Sequence, residues 1–175
     1  QLVVTADCDL VIENYREMRS FAGNHGDCDD SDPSANPDQT DDPDMSYVDT
    51  NCDGIDGDVA NSVFVDPIGG SNSNTGLTES SPLADLDTAN SIIGPTGRNW
   101  ILIADGNQRP SSDFVEAVNL AGGYDATNAW QRSPVIIPVI EVPSTGRSLY
   151  SWYLPTEWQQ IEITADPTTS TGEVS

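Results

Sequence analysis

Apolar positions are distributed unevenly along this 175-residue chain. Leu2-Val3-Val4 opens it with a short strand-like run, and a mixed stretch follows from Asn14 to Phe21. Residues 27–58 then lose all apolar periodicity. They are built from Asp, Asn, Pro, Ser and Gly, which form turns, so neither helix nor sheet is expected there. From Val59 the pattern changes. Ser62-Val63-Phe64-Val65 predicts a strand, and a polar loop, Gly69 to Gly76, follows it. Leu83, Leu86, Ala89 and Ile93 recur at helical spacing. Ser81 is the expected N-cap, Pro82 fits the first turn, and Gly94-Pro95 is the expected stop.

After that helix only strands and turns are predicted. The candidate strands are Trp100–Ala104, Ala117–Ala121 ended by Gly122-Gly123, Val135–Ile137 with Val139-Ile140 across Pro138, Ser148–Leu154, and Gln160–Thr164. The expected fold is mainly β. An Asp/Cys-rich module over 1–58 precedes a β-helix-like domain over 59–175, read as a short right-handed parallel β-helix with an N-terminal capping helix at residues 82–93. A β-sandwich is the alternative. Trp100 and Trp130 lie among apolar residues and are expected in the core. Trp152 and Trp158 are candidates for a sugar-stacking face or a subunit contact.

Charge sharpens this picture. The chain carries 29 acidic and six basic residues, a formal net charge of −23, and all six basic residues are Arg. A compact chain this acidic repels itself unless the charge is solvated or bound cations neutralise it. It offers no basic surface for nucleic acid or anionic membrane. No apolar run reaches the 18 or so residues that a membrane span needs. Residues 27–58 contain twelve Asp and no Glu, Lys or Arg. Short carboxylates held in tight turns are what hard-cation loops use.

Two cysteine-centred stretches repeat within that segment: Asp27-Cys28-Asp29-Asp30-Ser31-Asp32 and Asn51-Cys52-Asp53-Gly54-Ile55-Asp56. The second begins an EF-hand-like frame, with Asp49, Asn51 and Asp53 at its first, third and fifth positions and Gly54 at the sixth. It departs from that frame at Ala60, where a bidentate Glu would stand. At least two Ca²⁺ ions are expected, held by Asp27, Asp29, Asp32, Asp49, Asn51, Asp53, Asp56 and Asp58. Zinc fits less well: there is one His, His25, and no C-x-x-C pair. A Cys28–Cys52 bridge is the favoured pairing of the three cysteines. It would close a loop worth roughly 3 kcal/mol in the chain-entropy account. Cys8 is then left over or pairs between chains.

The run from Asp27 to Pro37, with Asp49 to Asp58, closely resembles the metal-binding motif of secreted bacterial proteins of myxobacterial type, akin to thrombospondin type 3 calcium repeats. The resemblance covers about a fifth of the chain. It implies structural Ca²⁺ and a disulfide. Many members have a further Cys before the second half; Asp41-Asp42-Pro43-Asp44 stands there instead, which supports Cys28 pairing with Cys52. Val63 to Ser71, Asn74-Thr75-Gly76, Ser81-Pro82-Leu83 and Leu120 to Asp125 resemble the entry and a turn of right-handed parallel β-helix domains in surface proteins and polysaccharide-active enzymes.

No catalytic constellation stands out. Asp105, Arg109, Asp113 and Glu116 fall in one loop region, but scattered surface charge explains them equally well. The chain is therefore read as a non-enzyme, extracellular or at the cell surface, with a structural or adhesive role. Its partners would be Ca²⁺ and, through self-association, further copies in a filament. A fragment of a polysaccharide-binding or polysaccharide-cleaving protein is the alternative. Starting at Gln1, it is read as a processed mature chain or a piece of a longer one.

Overall fold

The structure, a computed structural model, describes residues 32, 34–111, 118–142 and 157–165. The expected strands at 2–4 and 148–154 lie outside these residues, as do His25, Asp113, Glu116 and Trp152.

The described residues are mainly strands, arranged in two sheets. The first holds β1 (Ser62–Val65), β2 (Trp100–Ala104), β4 (Asn119–Asp125), β5 (Gln131–Arg132) and β7 (Glu157–Gln159). β1, β2, β4 and β7 are parallel and in register, so that Ser62, Trp100, Asn119 and Glu157 form one column. Only β5 runs antiparallel, folding back on the end of β4. The second sheet stacks β3 (Asn107–Gln108), β6 (Val139–Val142) and β8 (Glu162–Ala165), all parallel. β2 leads into β3 through a two-residue turn, so successive strands of one pass belong to different sheets.

Parallel strands buried on both faces read as continuous apolar runs rather than as alternation. That is why Ser62–Val65 and Trp100–Ala104 are legible from sequence, and every residue of both strands is buried. One face, Val63, Val65, Ile101, Ile103 and Leu120, packs with Ile140 and Val142 of the second sheet. The other face, Phe64, Trp100, Leu102, Ala104, Ala121 and Tyr124, packs with Trp130 and Ile55. Trp100 and Trp130 are both core residues, as expected. The ring of Trp130 meets Phe64 edge-on at 4.9 Å.

The helix is present but displaced. α1 spans Leu86–Thr96, with Asp85 as N-cap and Gly97 in the left-handed conformation after it. Ser81 and Pro82 do not start it, because their carbonyls are already engaged by the preceding loop and Leu83 by β1. Gly76 N–H donates to Ser81, Leu83 N–H donates to Phe64, and Asp66 N–H donates to Leu83. Nor does Gly94-Pro95 stop it. Pro95 sits in the last turn, where its missing N–H costs one bond, and the Thr96 hydroxyl donates to the Ile93 carbonyl. Leu86, Ala89 and Ile93 enter the cluster between the sheets.

Two further expectations shift. β4 runs through Gly122-Gly123 rather than ending there. A Cβ on Gly122 would lie 2.4 Å from the Gln160 carbonyl oxygen and 2.6 Å from Pro138, so glycine permits a close approach of backbones. Val135–Ile137 forms no strand; Val135 and Ile137 are exposed, and the strand starts after Pro138.

The Asp85 carboxylate accepts the Thr88 N–H at 2.8 Å and the Asn72 amide. Burial alone would raise this carboxyl, but those bonds outweigh it and hold it below the usual range. A lowered native value stabilises the fold above the unfolded value of about 3.9 and loses that contribution as pH falls through the native one. Asp85→Ala should therefore cost about 1 kcal/mol near neutral pH. In urea denaturation the gap to the native chain should narrow in acid; an equal gap at both pH values would rule out the charged cap.

Candidate metal centre

Residues 34–58 contain no helix or strand, in line with their composition, and they are not a loose tail. They pack on the outer face of the first sheet. Ile55, an isolated apolar residue in this run, is buried to 1% exposure against Phe64, Trp100 and Tyr124. The indole N–H of Trp100 donates to Asp42 at 2.8 Å, and the Tyr124 hydroxyl donates to the Asp56 carbonyl at 2.6 Å. Gln131 donates to the Gly54 carbonyl and Gln159 to the Pro43 carbonyl.

Within the segment several carboxylates fold a turn of their own backbone. Asp49 accepts the N–H groups of Asp53 at 3.1 Å and Gly54 at 2.9 Å, one on each oxygen. The Asn51 side-chain oxygen accepts the same Asp53 N–H at 3.0 Å, and its amide donates to Asp53 Oδ2 at 3.2 Å. Asp53 in turn accepts from Val59 N–H at 2.7 Å. Gly54, at φ 110°, turns the chain under these groups. Asp49, Asn51 and Asp53 are thus brought together, as their spacing predicts, and all three offer hard oxygen donors. Loss of hydration raises the Asp53 carboxyl, with neighbouring Asp49 adding to the rise, although part of the side chain still meets solvent.

The remaining expected ligands are placed differently. Asp58 caps the 3₁₀ turn Val59–Asn61 through Ala60 N–H. Asp32 caps Ser34 and is exposed. Asp56 turns inward: one oxygen accepts Asp44 N–H at 3.1 Å and the other meets Arg132 at 2.8 Å. Asp27, Asp29 and Cys28 lie outside the described residues. Cys52, at φ 61°, is disulfide-bonded, and its partner lies outside the described residues too. Among the described residues, no group of three or more His, Cys, Asp and Glu side chains is gathered as a metal would require.

Two residues central to this region carry no recognisable motif. Asp41 is 4% exposed and accepts the Thr50 hydroxyl at 2.7 Å, the Thr50 N–H at 3.3 Å and the Gly57 N–H at 3.0 Å, tying the two ends of the segment together. Arg132 has a fully buried side chain. It donates to Asp56, to the carbonyls of Asp44 and Gly122, and to Gln159. Its guanidinium lies 5.4 Å from the ring centres of both Tyr47 and Tyr124. Burial raises the Asp56 carboxyl, and Arg132 works against that rise.

Elsewhere, Asp105 is exposed after β2, and Arg109 pairs with Glu141. A cleft of about 340 Å³ lies where β1, β2 and β4 end, lined by Asp66, Asp105 and Asp125 with Ile68 and Ile136. No helix among the described residues is long and apolar enough to cross a membrane. No protein family, curated protein or solved structure matches this chain.

Burial raises the Asp41 carboxyl despite its three hydrogen bonds. A raised native value favours folding below the unfolded value and loses that contribution as pH rises through the native one. Charge on Asp41 therefore opposes folding at neutral pH, while its acceptor role supports it. Asp41→Ala removes the acceptor and should cost about 1–3 kcal/mol, the usual result of orphaning buried N–H groups. Asp41→Asn keeps an acceptor without the charge and should cost clearly less in urea denaturation with chelator present. Equal losses would show that the carboxylate charge itself is needed.

Proposed function

We propose that this chain is an extracellular or cell-surface protein, stabilised by Ca²⁺ in its acidic segment, with a structural or adhesive role rather than a catalytic one. The loop Asp49-Asn51-Asp53 over Gly54 carries the reading. These three side chains stand at one-three-five spacing and are linked by hydrogen bonds, the Asp49 and Asn51 oxygens meeting at the Asp53 N–H and Asp49 also accepting from Gly54, which supports the reading. Ca²⁺ takes six to eight oxygens, so carbonyls and water would complete the shell. When bound, the ion supplies positive charge to a chain of net charge −23. On the same reading Asp27, Asp29 and Asp32 form a companion half, with Asp58 at the edge of the second. Cys28 would then be the partner of Cys52, joining the halves.

The two parallel sheets would be faces of a short right-handed parallel β-helix. Their in-register columns and the shared apolar cluster between them support this. α1 contributes Leu86, Ala89 and Ile93 to that cluster, as a cap on its first end would. At the far end Trp158 is 48% and Ile163 37% exposed. They continue the interior columns of Leu120 and Ile140, and this supports self-association into a filament. Trp158 also suits a second reading, binding or cleavage of polysaccharide, since an exposed indole stacks on sugar rings.

Calorimetric titration with CaCl₂ tests the central reading. Uptake with a dissociation constant on the order of 10⁻⁴–10⁻³ M is expected, as for extracellular calcium modules. Asp49→Asn with Asp53→Asn should abolish uptake at this loop. A native chain that takes up no Ca²⁺ would overturn the reading. Non-reducing peptide mapping should recover Cys28 joined to Cys52; recovery of Cys8 joined to Cys52 would refute that pairing.

A further inference from the structure

We infer that Arg132 is the resident cation of the acidic segment: it occupies Asp56 in place of a bound ion, so the Asp49–Asp58 frame takes up Ca²⁺ without Asp56. The statement about Ca²⁺ rests on the reading proposed above; the role of Arg132 does not.

By spacing alone, Asp56 belongs with Asp49, Asn51 and Asp53 in one ion shell. Its oxygens point elsewhere. Oδ2 lies 2.8 Å from Arg132 and Oδ1 accepts Asp44 N–H at 3.1 Å, while the side chain is 3% exposed. The guanidinium is enclosed as a ligand would be. Its side chain is fully buried, its Nε–H donates to Gly122, one terminal nitrogen donates to both Asp44 and Asp56, and the other donates to Gln159. Tyr47 and Tyr124 flank it. The planar fork of Arg matches these diverging acceptors.

The chemistry of the two halves then differs. Neutralisation at Asp56 is covalently built in and independent of cation concentration. Neutralisation at the outer loop depends on dissolved Ca²⁺. The inner half, from Asp41 to Pro43 and from Ile55 to Gly57, stays docked on the sheet when Ca²⁺ is withdrawn, and only the outer loop responds to the ion.

The test uses the full chain, with CaCl₂ calorimetry for ion uptake and near-UV circular dichroism of the buried Trp and Tyr for docking. Asp56→Asn keeps an acceptor for Arg132 and should bind the same number of ions as the native chain. Loss of an ion from a docked Asp56→Asn chain would overturn the inference, since Asp56 would then be a ligand. Arg132→Gln should lose docking in chelator and regain it with Ca²⁺, taking up one ion more than the native chain. Arg132→Lys, which keeps the charge, should remain docked in chelator. An Arg132→Gln chain that stays docked in chelator with native uptake would overturn it. If Arg132→Gln stays undocked even in Ca²⁺, the Asp56→Asn stoichiometry decides. If the native chain takes up no Ca²⁺, the calcium reading fails by itself. Docking of Arg132→Gln in chelator then decides the role of Arg132: undocking supports it and native docking refutes it.

Discussion

A guanidinium with no solvent contact is the constraint around which the described structure is arranged. An unpaired buried charge is too costly to keep, so every donor of Arg132 must find an acceptor, and the acceptors come from far apart in sequence. Asp44 and Asp56 lie on the acidic segment, Gly122 on β4 and Gln159 on β7. One side chain thereby fixes the segment against the first sheet and β7 against β4. Removing one partner from such a pair typically costs about 3–5 kcal/mol, because the other is left buried and uncompensated. That is a large share of a domain's total stability.

The same arrangement explains how so acidic a segment lies against an apolar sheet. Four of its carboxylates are spent on its own backbone: Asp41 on Thr50 and Gly57, Asp44 on Ser46, Asp49 on Asp53 and Gly54, Asp58 on Ala60. Short Asp side chains reach N–H groups two to five residues away, and in the case of Asp41 nine and sixteen, and these bonds stand in for the missing sheet ladder. With the backbone satisfied locally, Ile55 is free to enter the core beside Trp100. Glu, one methylene longer, suits these short turns less well.

Much of the fold was legible in the sequence because it depends on local pattern. Doubly buried parallel strands betray themselves as unbroken apolar runs, which located β1 and β2 and placed both Trp100 and Trp130 inside. The helix was seen but mislocated, since the engagement of Ser81–Leu83 with the preceding loop and β1 is a tertiary fact that overrides capping preference. Gly122-Gly123 looked like a terminator and is a site of close backbone approach. At the candidate centre, one-three-five spacing picked out Asp49, Asn51 and Asp53, which hydrogen bonds link to one another. It could not reveal that Asp56 faces away, because the cause lies 76 residues on, in the two-residue strand β5, which carries no motif. Ile55, an isolated apolar residue among polar neighbours, was the available hint that the segment packs.

The chain has no lysine, and of the arginines among the described residues Arg98 and Arg132 are held by the fold, which bears on how this part of the chain meets a protease. A protease that cuts after basic residues must draw an extended stretch of backbone into its cleft. Around Arg132 that stretch is β5, paired to β4 with its side chain buried. Around Arg98 the guanidinium is held by the carbonyls of Val59, Ser62 and Leu77, one residue beyond the left-handed Gly97. Arg109 is exposed, but Pro110 follows it, and such enzymes cut poorly before proline. Between residues 34 and 111 and between 118 and 142, digestion by a trypsin-like enzyme must therefore wait for the fold to open. Its rate reports the unfolding equilibrium rather than the accessibility of a loop.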